Sequence, residues 1–536
     1  LTVSATATKI WDAESTNNWT TNKGDVYSGW QREGSYCLGD QVSQTSYNEI
    51  YDYYTANGSY LNINGKLVTF WVLLWGSPDT LANGGVGYYL EDSAGNAVYL
   101  HLGGSDKGGM YYGAYGWQCF SFYADSTYLQ NNVTYTQVSG SSFPDLTQLK
   151  KVGVHFKITS KAVGTSPNVM WDVSYAIDYI TVTGGTSSDP LTFDDLVSAD
   201  DTNAWGFISK TETGVYCLQG KIRIGDTSTD TYFVDTGKLI IFKDTWVSDN
   251  FHEITIYRGS SNTTVFQLGE KSGGAGINGC VVRAPSGKRF VFDAKTNYDI
   301  SNISQGDIGL YGTSYYYMGQ GKLPDSSNAE VLTCNFINCG KLEAYSATIE
   351  GTNFIGSSDK ALALPQDLNT SESNFIGNYA AVYIDTAGSF TFDALKFSGN
   401  TFDIWNDSGG TVVIQCVNGS DPSSSTSPLG GTVEIQNVVY LRVYVKDTEG
   451  EPIPNARVAI YKSSDMTQLM NELTDANGKA EETFQYPGAD VEVIIRVRKS
   501  TAGATRYIPV ETIGVIGVDG LTQYITMYVD TSLSGG

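Results

Sequence analysis

The chain has 536 residues, 12% of them aromatic, and carries 33 Lys and Arg against 57 Asp and Glu, a formal net charge of −24. That length exceeds one hydrophobic core, so roughly three or four domains are expected, and the aromatic and β-branched content excludes a disordered chain. The charge argues against binding a nucleic-acid backbone, and with no run of about 18 apolar residues, membrane insertion is not expected.

Helix signals are nearly absent: no long stretch spaces apolar residues by three and four. Gly (59) and Tyr (36) are abundant beside Thr, Ser and Asn, and Pro is scarce at 13. This suits many short strands joined by tight turns. The chain starts at Leu1 without a basic-then-apolar leader, so a leader was removed or none was needed. Cys37, Cys119, Cys217, Cys280, Cys334, Cys339 and Cys416 are scattered and odd in number, without metal-knuckle spacing. They are expected to be small buried residues of a chain folded in a reducing compartment. No cofactor and no metal site is expected.

Residues 1–184 read as one all-β domain, a jelly-roll-like sandwich. Leu1 to Ile10 alternates as a strand that pairs at an edge, in its own sheet or in a neighbour's. Leu67 to Trp75 is apolar on both faces, hence central. Val86–Leu90, Ala97–Leu102, Val152–Ile158 and Val169–Val182 are further strands between Gly, Asn and Asp turns. Ile177 to Val182 resembles the last strand of carbohydrate-binding jelly-roll sandwiches. Tyrosine clusters at Tyr51, Tyr53 and Tyr54, at Tyr88-Tyr89, at Tyr111, Tyr112 and Tyr115 with Trp117, and at Tyr315 to Tyr317. Exposed rings with hydroxyls suit sugar stacking and protein contact, which makes Tyr111, Tyr112, Tyr115 and Trp117 the candidate ligand-contact aromatics. Thr183 to Pro190 has the composition of a linker.

Residues 191–432 read as a parallel β-helix with irregular early coils. Asn335-Phe336-Ile337, Asn353-Phe354-Ile355 and Asn374-Phe375-Ile376 repeat one phrase, with a looser copy at Lys396-Phe397-Ser398. The phenylalanines are 18, 21 and 22 residues apart. Small or turn residues follow (Gly340, Gly356, Gly377, Gly399), then two further apolar clusters before the next phenylalanine. Three short strands per coil of about 20 residues is a solenoid signature. Phe336, Phe354, Phe375 and Phe397 are expected to stack in its core, with Asn and Gly at corners that need a left-handed backbone. Gly220 to Asp226, Thr231-Tyr232-Phe233 and Gly276 to Gly279 resemble β-helix proteins of tailed bacteriophages. That resemblance implies a virion structural role at the particle surface, often trimeric, and no catalytic residue.

Ser420 to Gly431 is a loop or linker by composition. Residues 433–536 form a third module. Leu441 to Asp447 alternates as a strand; Thr448 to Val458 and Thr474 to Ala480 follow. This pair of phrases resembles the carboxypeptidase-regulatory-like family of small Ig- or transthyretin-like sandwiches, mostly spacer or adhesive modules. Gly450 and Gly478 supply turns there, and Asp475 and Asn477 bond their own backbone.

The chemistry-bearing residues form no set in sequence. His101, His155 and His252 fall in different strands. Asp359, Asp367, Glu372, Asp385, Asp393, Asp403 and Asp407 are the carboxylates a β-helix glycan hydrolase or lyase would draw on, with Lys341, Lys360 and Lys396 the local bases. A solvated outer face is the simpler reading. The expectation is therefore an all-β protein: an N-terminal jelly-roll-like sandwich, a central right-handed parallel β-helix and a C-terminal Ig-like sandwich. It is expected to act without catalysis on a virion surface, in capsid decoration or a tail-associated fibre. Expected partners are copies of itself (a trimer first), other virion proteins and host cell-surface glycan. The alternatives are a tailspike-like depolymerase and a secreted extracellular filament subunit.

Overall fold

The computed structural model describes residues 1–11, 14, 19–21, 25–28, 31–41, 49–55, 59–75, 81–102, 117–158, 168–243, 251–285, 287–296, 308–324, 328–487, 489–500 and 505–533. They divide into two compact units, Leu1–Pro324 and Asp325–Gly536. The fold is all-β, with parallel-strand coils in each unit, an antiparallel sandwich in the first and a mostly antiparallel one in the second.

In the first unit, Leu67–Trp75 lies between Asn168–Thr183 and Gln118–Tyr123, antiparallel to both. Thr2–Trp11 pairs with Asn168–Thr183 of its own chain. The facing sheet is antiparallel, in the order Tyr135–Ser139, Ala97–His101, Leu81–Asp92, Leu149–Ile158, Glu49–Thr55, Trp19–Thr21. Period-two alternation sends Phe70, Val72, Tyr88, Leu90, Phe122 and Trp171 into the space between the sheets. Each such buried side chain contributes about 1.5–3 kcal/mol.

The sandwich passes into the solenoid without a free linker. Ile180 to Val182, at the end of Asn168–Thr183, pairs in parallel with Ile222 to Ile224. That strand pairs with His252–Arg258, then Phe290–Thr296, then Met318–Lys322. The stretch Thr183 to Pro190 is a hydrogen-bonded turn: Tyr232 N donates to Gly184 O (2.9 Å), and Thr186 and Asp189 exchange backbone bonds of 3.0 and 3.2 Å. A helix, Phe193–Asn203, follows behind a Thr192/Asp195 capping box. Its Phe193 ring sits 5.0 Å from Phe233 and 5.5 Å from Tyr216, capping the apolar interior of the first coil. The sequence reading contains no helix here, because the segment buries only Phe193, Leu196 and Asp200, too few apolar positions to show a helical period.

In the second unit the coils are regular. Asn335–Ile337, Asn353–Ile355, Asn374–Ile376 and Lys396–Ser398 pair in parallel and in register. The rings of Phe336, Phe354, Phe375 and Phe397 stack at 5.2, 4.9 and 5.1 Å, within 9° of parallel. The first three are buried and Phe397 half-buried. Outside, Asn374 donates to Asn353 and Asn353 to Asn335, each at 2.8 Å. Left-handed residues bracket every one of these strands: Thr333, Gly351, Glu372 and Ala394 before, Asn338, Gly356, Gly377 and Gly399 after. The first coil thus turns at Asn338, not at Gly340.

Ser420 to Gly431 closes the last rung. Ser425–Thr426 pairs beside Ile404 and Trp405, and buried Asp403 accepts from the backbone of Ser423 (2.8 Å) and Ser424 (3.1 Å). Thr432–Lys446 pairs first with the coil strand Thr411–Val417, then with Lys479–Gln485 and Leu521–Thr526 of the C-terminal sandwich. The opposing sheet runs Gln468–Leu473, Arg457–Lys462, Val491–Lys499, Tyr507–Ile516. Leu441, Val443, Val458, Ile460, Val493 and Ile495 fill the core. Asp447 and Asp475 each accept two backbone N–H groups across the turns that contain Gly450 and Gly478.

Phe354→Ala is expected to lower the unfolding free energy by about 3–5 kcal/mol, whereas Asn353→Ala, outside the same strand, costs about 1 kcal/mol; denaturant midpoints of the two variants test this ordering. Burial raises the Asp200 carboxyl to about 7, against backbone hydrogen bonds from Phe207 and Ile208 that lower it. The folded state therefore holds this proton more tightly than the unfolded chain, and the stability so gained is present below about pH 4 and lost as pH rises through about 7. Asp200→Asn is expected to shrink the loss of stability between pH 5 and 8 by on the order of 2 kcal/mol; an unchanged pH profile by chemical denaturation refutes this.

Candidate functional site

The seven β-helix carboxylates do not converge as a set. Asp403 builds the last rung, Asp367 accepts from Thr391 N at 2.7 Å, and Asp393 accepts from Asn418. Glu372 is exposed at a left-handed corner. Asp359, Asp385 and Asp407 lie along the outer face of one coil sheet, made of Lys341–Glu343, Lys360–Ala363, Ala380–Ile384 and Phe402–Asn406.

Strand alternation generates that face. Val382 and Ile384 point inward and are buried, as are Ile404 and Asn406, so Tyr383 and Trp405 between them point outward. Register sets Tyr383 beside Trp405. Tyr379, Phe402 and Trp405 form a ring cluster with centroids 5.7 to 5.8 Å apart. The Lys360 ammonium lies 5.1 Å from the Tyr383 ring and 5.2 Å from Trp405, and Lys341 lies 5.3 Å from Tyr383. The Lys360–Asp359 pair is 3.5 Å long, with the Asp359 side chain 62% exposed. An exposed pair contributes about 1 kcal/mol at most, so the two rings, each a cation–π partner of about 0.5–2 kcal/mol, set the position of this amine.

Acidic groups rim the face. Tyr383 donates to Asp407 at 3.1 Å, and Tyr345 donates to Glu343, which is paired with Lys341 at 2.7 Å. Burial, then the Asp407 hydrogen bond and the charges of Asp407, Asp385 and Glu343, push the Tyr383 phenol up to about 12. It is neutral near pH 7 and acts as a hydrogen-bond donor there, not as a base. Trp405 Nε1 is buried without an acceptor. The arrangement is an apolar cluster whose rings meet at 47° to 87°, with amine, phenol and carboxylate groups at its edges, a makeup suited to contacting the C–H groups and hydroxyls of a sugar.

The other candidates lie elsewhere. Tyr111, Tyr112 and Tyr115 fall outside the described residues, and Trp117 is half-buried against Cys37 and Leu73. Tyr88 and Tyr315 are core residues. His101 and His155 both contact Tyr99, at 4.5 and 3.6 Å. Buried His252 accepts from Gly220 N at 3.2 Å, and burial lowers it to about 4. No three His, Cys, Asp or Glu residues among those described are grouped to hold a metal ion, and no described helix is long and apolar enough to cross a membrane. Burial raises the thiol of Cys37 to about 12 and those of Cys280 and Cys416 to about 11.

No family model matches this sequence, and no curated protein does. Among solved structures, PfGH50B matches at 12% identity with a TM-score of 0.22, over 39% of this chain and 31% of that one. An exo-β-agarase matches at 10% identity with the same TM-score of 0.22, over 37% and 31%. This chain thus spans under a third of the length of either structure, and a likeness of that size says nothing about the site.

Sequence reading missed Tyr379, Tyr383, Phe402 and Trp405 as a group. The available signal was an aromatic at the outward position of successive coils, 22 residues apart at Tyr383 and Trp405.

Proposed function

We propose that this chain is a structural and adhesive surface protein that holds host-surface glycan on the Trp405 face without cleaving it. The observation that carries the reading is the cluster of Tyr379, Phe402 and Trp405 with the Lys360 ammonium drawn over Trp405. Such rings, partly open and held on rigid strands, present a preformed stacking surface, and preorganisation reduces the cost of binding. The setting we propose, on a bacteriophage particle as capsid decoration or tail-associated fibre, rests on the sequence resemblance alone. So does assembly with copies of itself and with other virion proteins.

An array of neutral and acidic bacterial surface oligosaccharides is expected to capture the protein on at least one neutral glycan. Trp405→Ala is expected to weaken that capture by about tenfold or more, close to 1.4 kcal/mol. Because Glu343, Asp385 and Asp407 surround Tyr383, the same incubation is read for released reducing ends. Release, or capture unchanged by Trp405→Ala, overturns the proposal. Light scattering is expected to give about three times the 58.1 kDa chain mass; a monomer at micromolar concentration refutes the trimer.

A further inference from the structure

The C-terminal sandwich carries a second, separate concentration of charge. On the outer face of its four-stranded sheet, Arg457, Tyr461, Asn471, Arg496, Arg498 and Glu511 line a groove of about 480 Å³. Alternation exposes them: Val458, Ile460, Ile495 and Val497 are buried on the opposite side. Register places Arg457 directly across from Arg498, and Arg496 across from Glu511.

The three guanidiniums are unequally satisfied. Arg496 bonds Glu511 at 2.7 Å and lies 5.3 Å from the Tyr461 ring. Arg457 donates to the neutral amide of Asn471 at 2.9 Å. The Arg498 guanidinium makes no hydrogen bond or ion pair with any described residue, although its backbone is part of the sheet ladder. Like charges directly opposed across a sheet destabilise it, so the Arg457–Arg498 pair costs folding energy, and the groove's carboxylate, Glu511, is paired with Arg496 instead. Glu511 is the one carboxylate lining the groove, against three cations, in a chain of net charge −24.

We propose that this groove binds an acidic saccharide, its carboxylate or sulfate group taken between Arg457 and Arg498 and its ring laid against Ala459, Tyr461 and Pro509. The guanidinium fork matches a two-oxygen anion. The groove's size falls in the range of small-ligand clefts, about 300–1,000 Å³. Ala459, Tyr461 and Pro509 line the same groove as the three guanidiniums, so it offers apolar contact beside charge, which fits a sugar acid better than a bare ion. The chain's overall charge opposes a long polyanion such as nucleic acid. This site is independent of the Trp405 face.

Calorimetry with the full chain tests it, using tetragalacturonate and a chondroitin sulfate tetrasaccharide against chitotetraose, inorganic sulfate, inorganic phosphate and tetraglutamate. At least one acidic tetrasaccharide is expected to bind tenfold or more tighter than every other probe. Arg457→Gln and Arg498→Gln are each expected to weaken it tenfold or more, and Trp405→Ala to leave it unchanged. Without ligand, Arg498→Gln is expected to raise the melting temperature, because it removes a like-charge pair; that also establishes that the variant folds. Absence of binding overturns the proposal, as does equal binding of the bare ions or of tetraglutamate. Wild-type affinity in the Arg457→Gln/Arg498→Gln double variant, or loss of affinity in Trp405→Ala, overturns it too.

Discussion

Parallel, in-register pairing is the constraint on which the rest depends. Adjacent strands lie about 4.8 Å apart, so a residue repeated in each coil must sit directly on its copy. For phenylalanine that spacing is a ring stack, and the observed separations of 4.9 to 5.2 Å follow the strand spacing. For asparagine it is an amide ladder. The same rule holds outside the tube, where it fixes Tyr383 beside Trp405 with no packing partner required. Rigid coils thereby give a surface whose side chains are placed to within a rung. The left-handed corners sustain it: Thr333, Glu372 and Ala394 accept a backbone that costs about 1–3 kcal/mol each, and the sheets on either side over-determine it.

Each sandwich receives its register from the coils of its own unit. Asn168–Thr183 belongs to the first sandwich and to the first coil sheet, and Thr432–Lys446 belongs to the last coil sheet and to the C-terminal sandwich. A shared strand has no hinge. It also removes an open sheet end, the part of a solenoid most exposed to pairing with another chain. The helix Phe193–Asn203 does the same for the apolar interior, through Phe193.

What the sequence made legible was the periodic part. Three copies of Asn-Phe-Ile announce coils because a parallel stack repeats its inward residue. The paired turn phrases around Gly450 and Gly478 announce a sandwich for a similar reason: few residues suit those backbone angles. Three things stayed hidden. Thr183 to Pro190 and Ser420 to Gly431 are small and polar, and composition cannot distinguish a solvated linker from a turn whose N–H groups meet a neighbouring strand. The helix hides because Asp200 takes an inward position that a periodicity reading expects to be apolar. The platform hides because Tyr383 and Trp405 lie inside apolar clusters, where an outward ring and an inward ring look alike until the alternation is counted.

Charge explains why binding on such a chain must be local. Screening limits the reach of exposed charges to about 8 Å at physiological salt. The net −24 therefore governs how slowly an anion approaches, while the few side chains within that radius govern whether it stays. Lys341 and Lys360 are committed to rings and to Glu343 and Asp359, which leaves the solenoid face suited to uncharged sugar. Arg496 is neutralised by Glu511, but Arg457 and Arg498 face each other, with Arg457 bonded only to the neutral amide of Asn471. An anion seated there removes a repulsion and gains a charge-assisted fork in one step. As proposed, the two surfaces on one unit, one ring-rich and one guanidinium-rich, divide neutral from acidic ligands by contacts of a few ångströms, against a long-range field that repels the second kind.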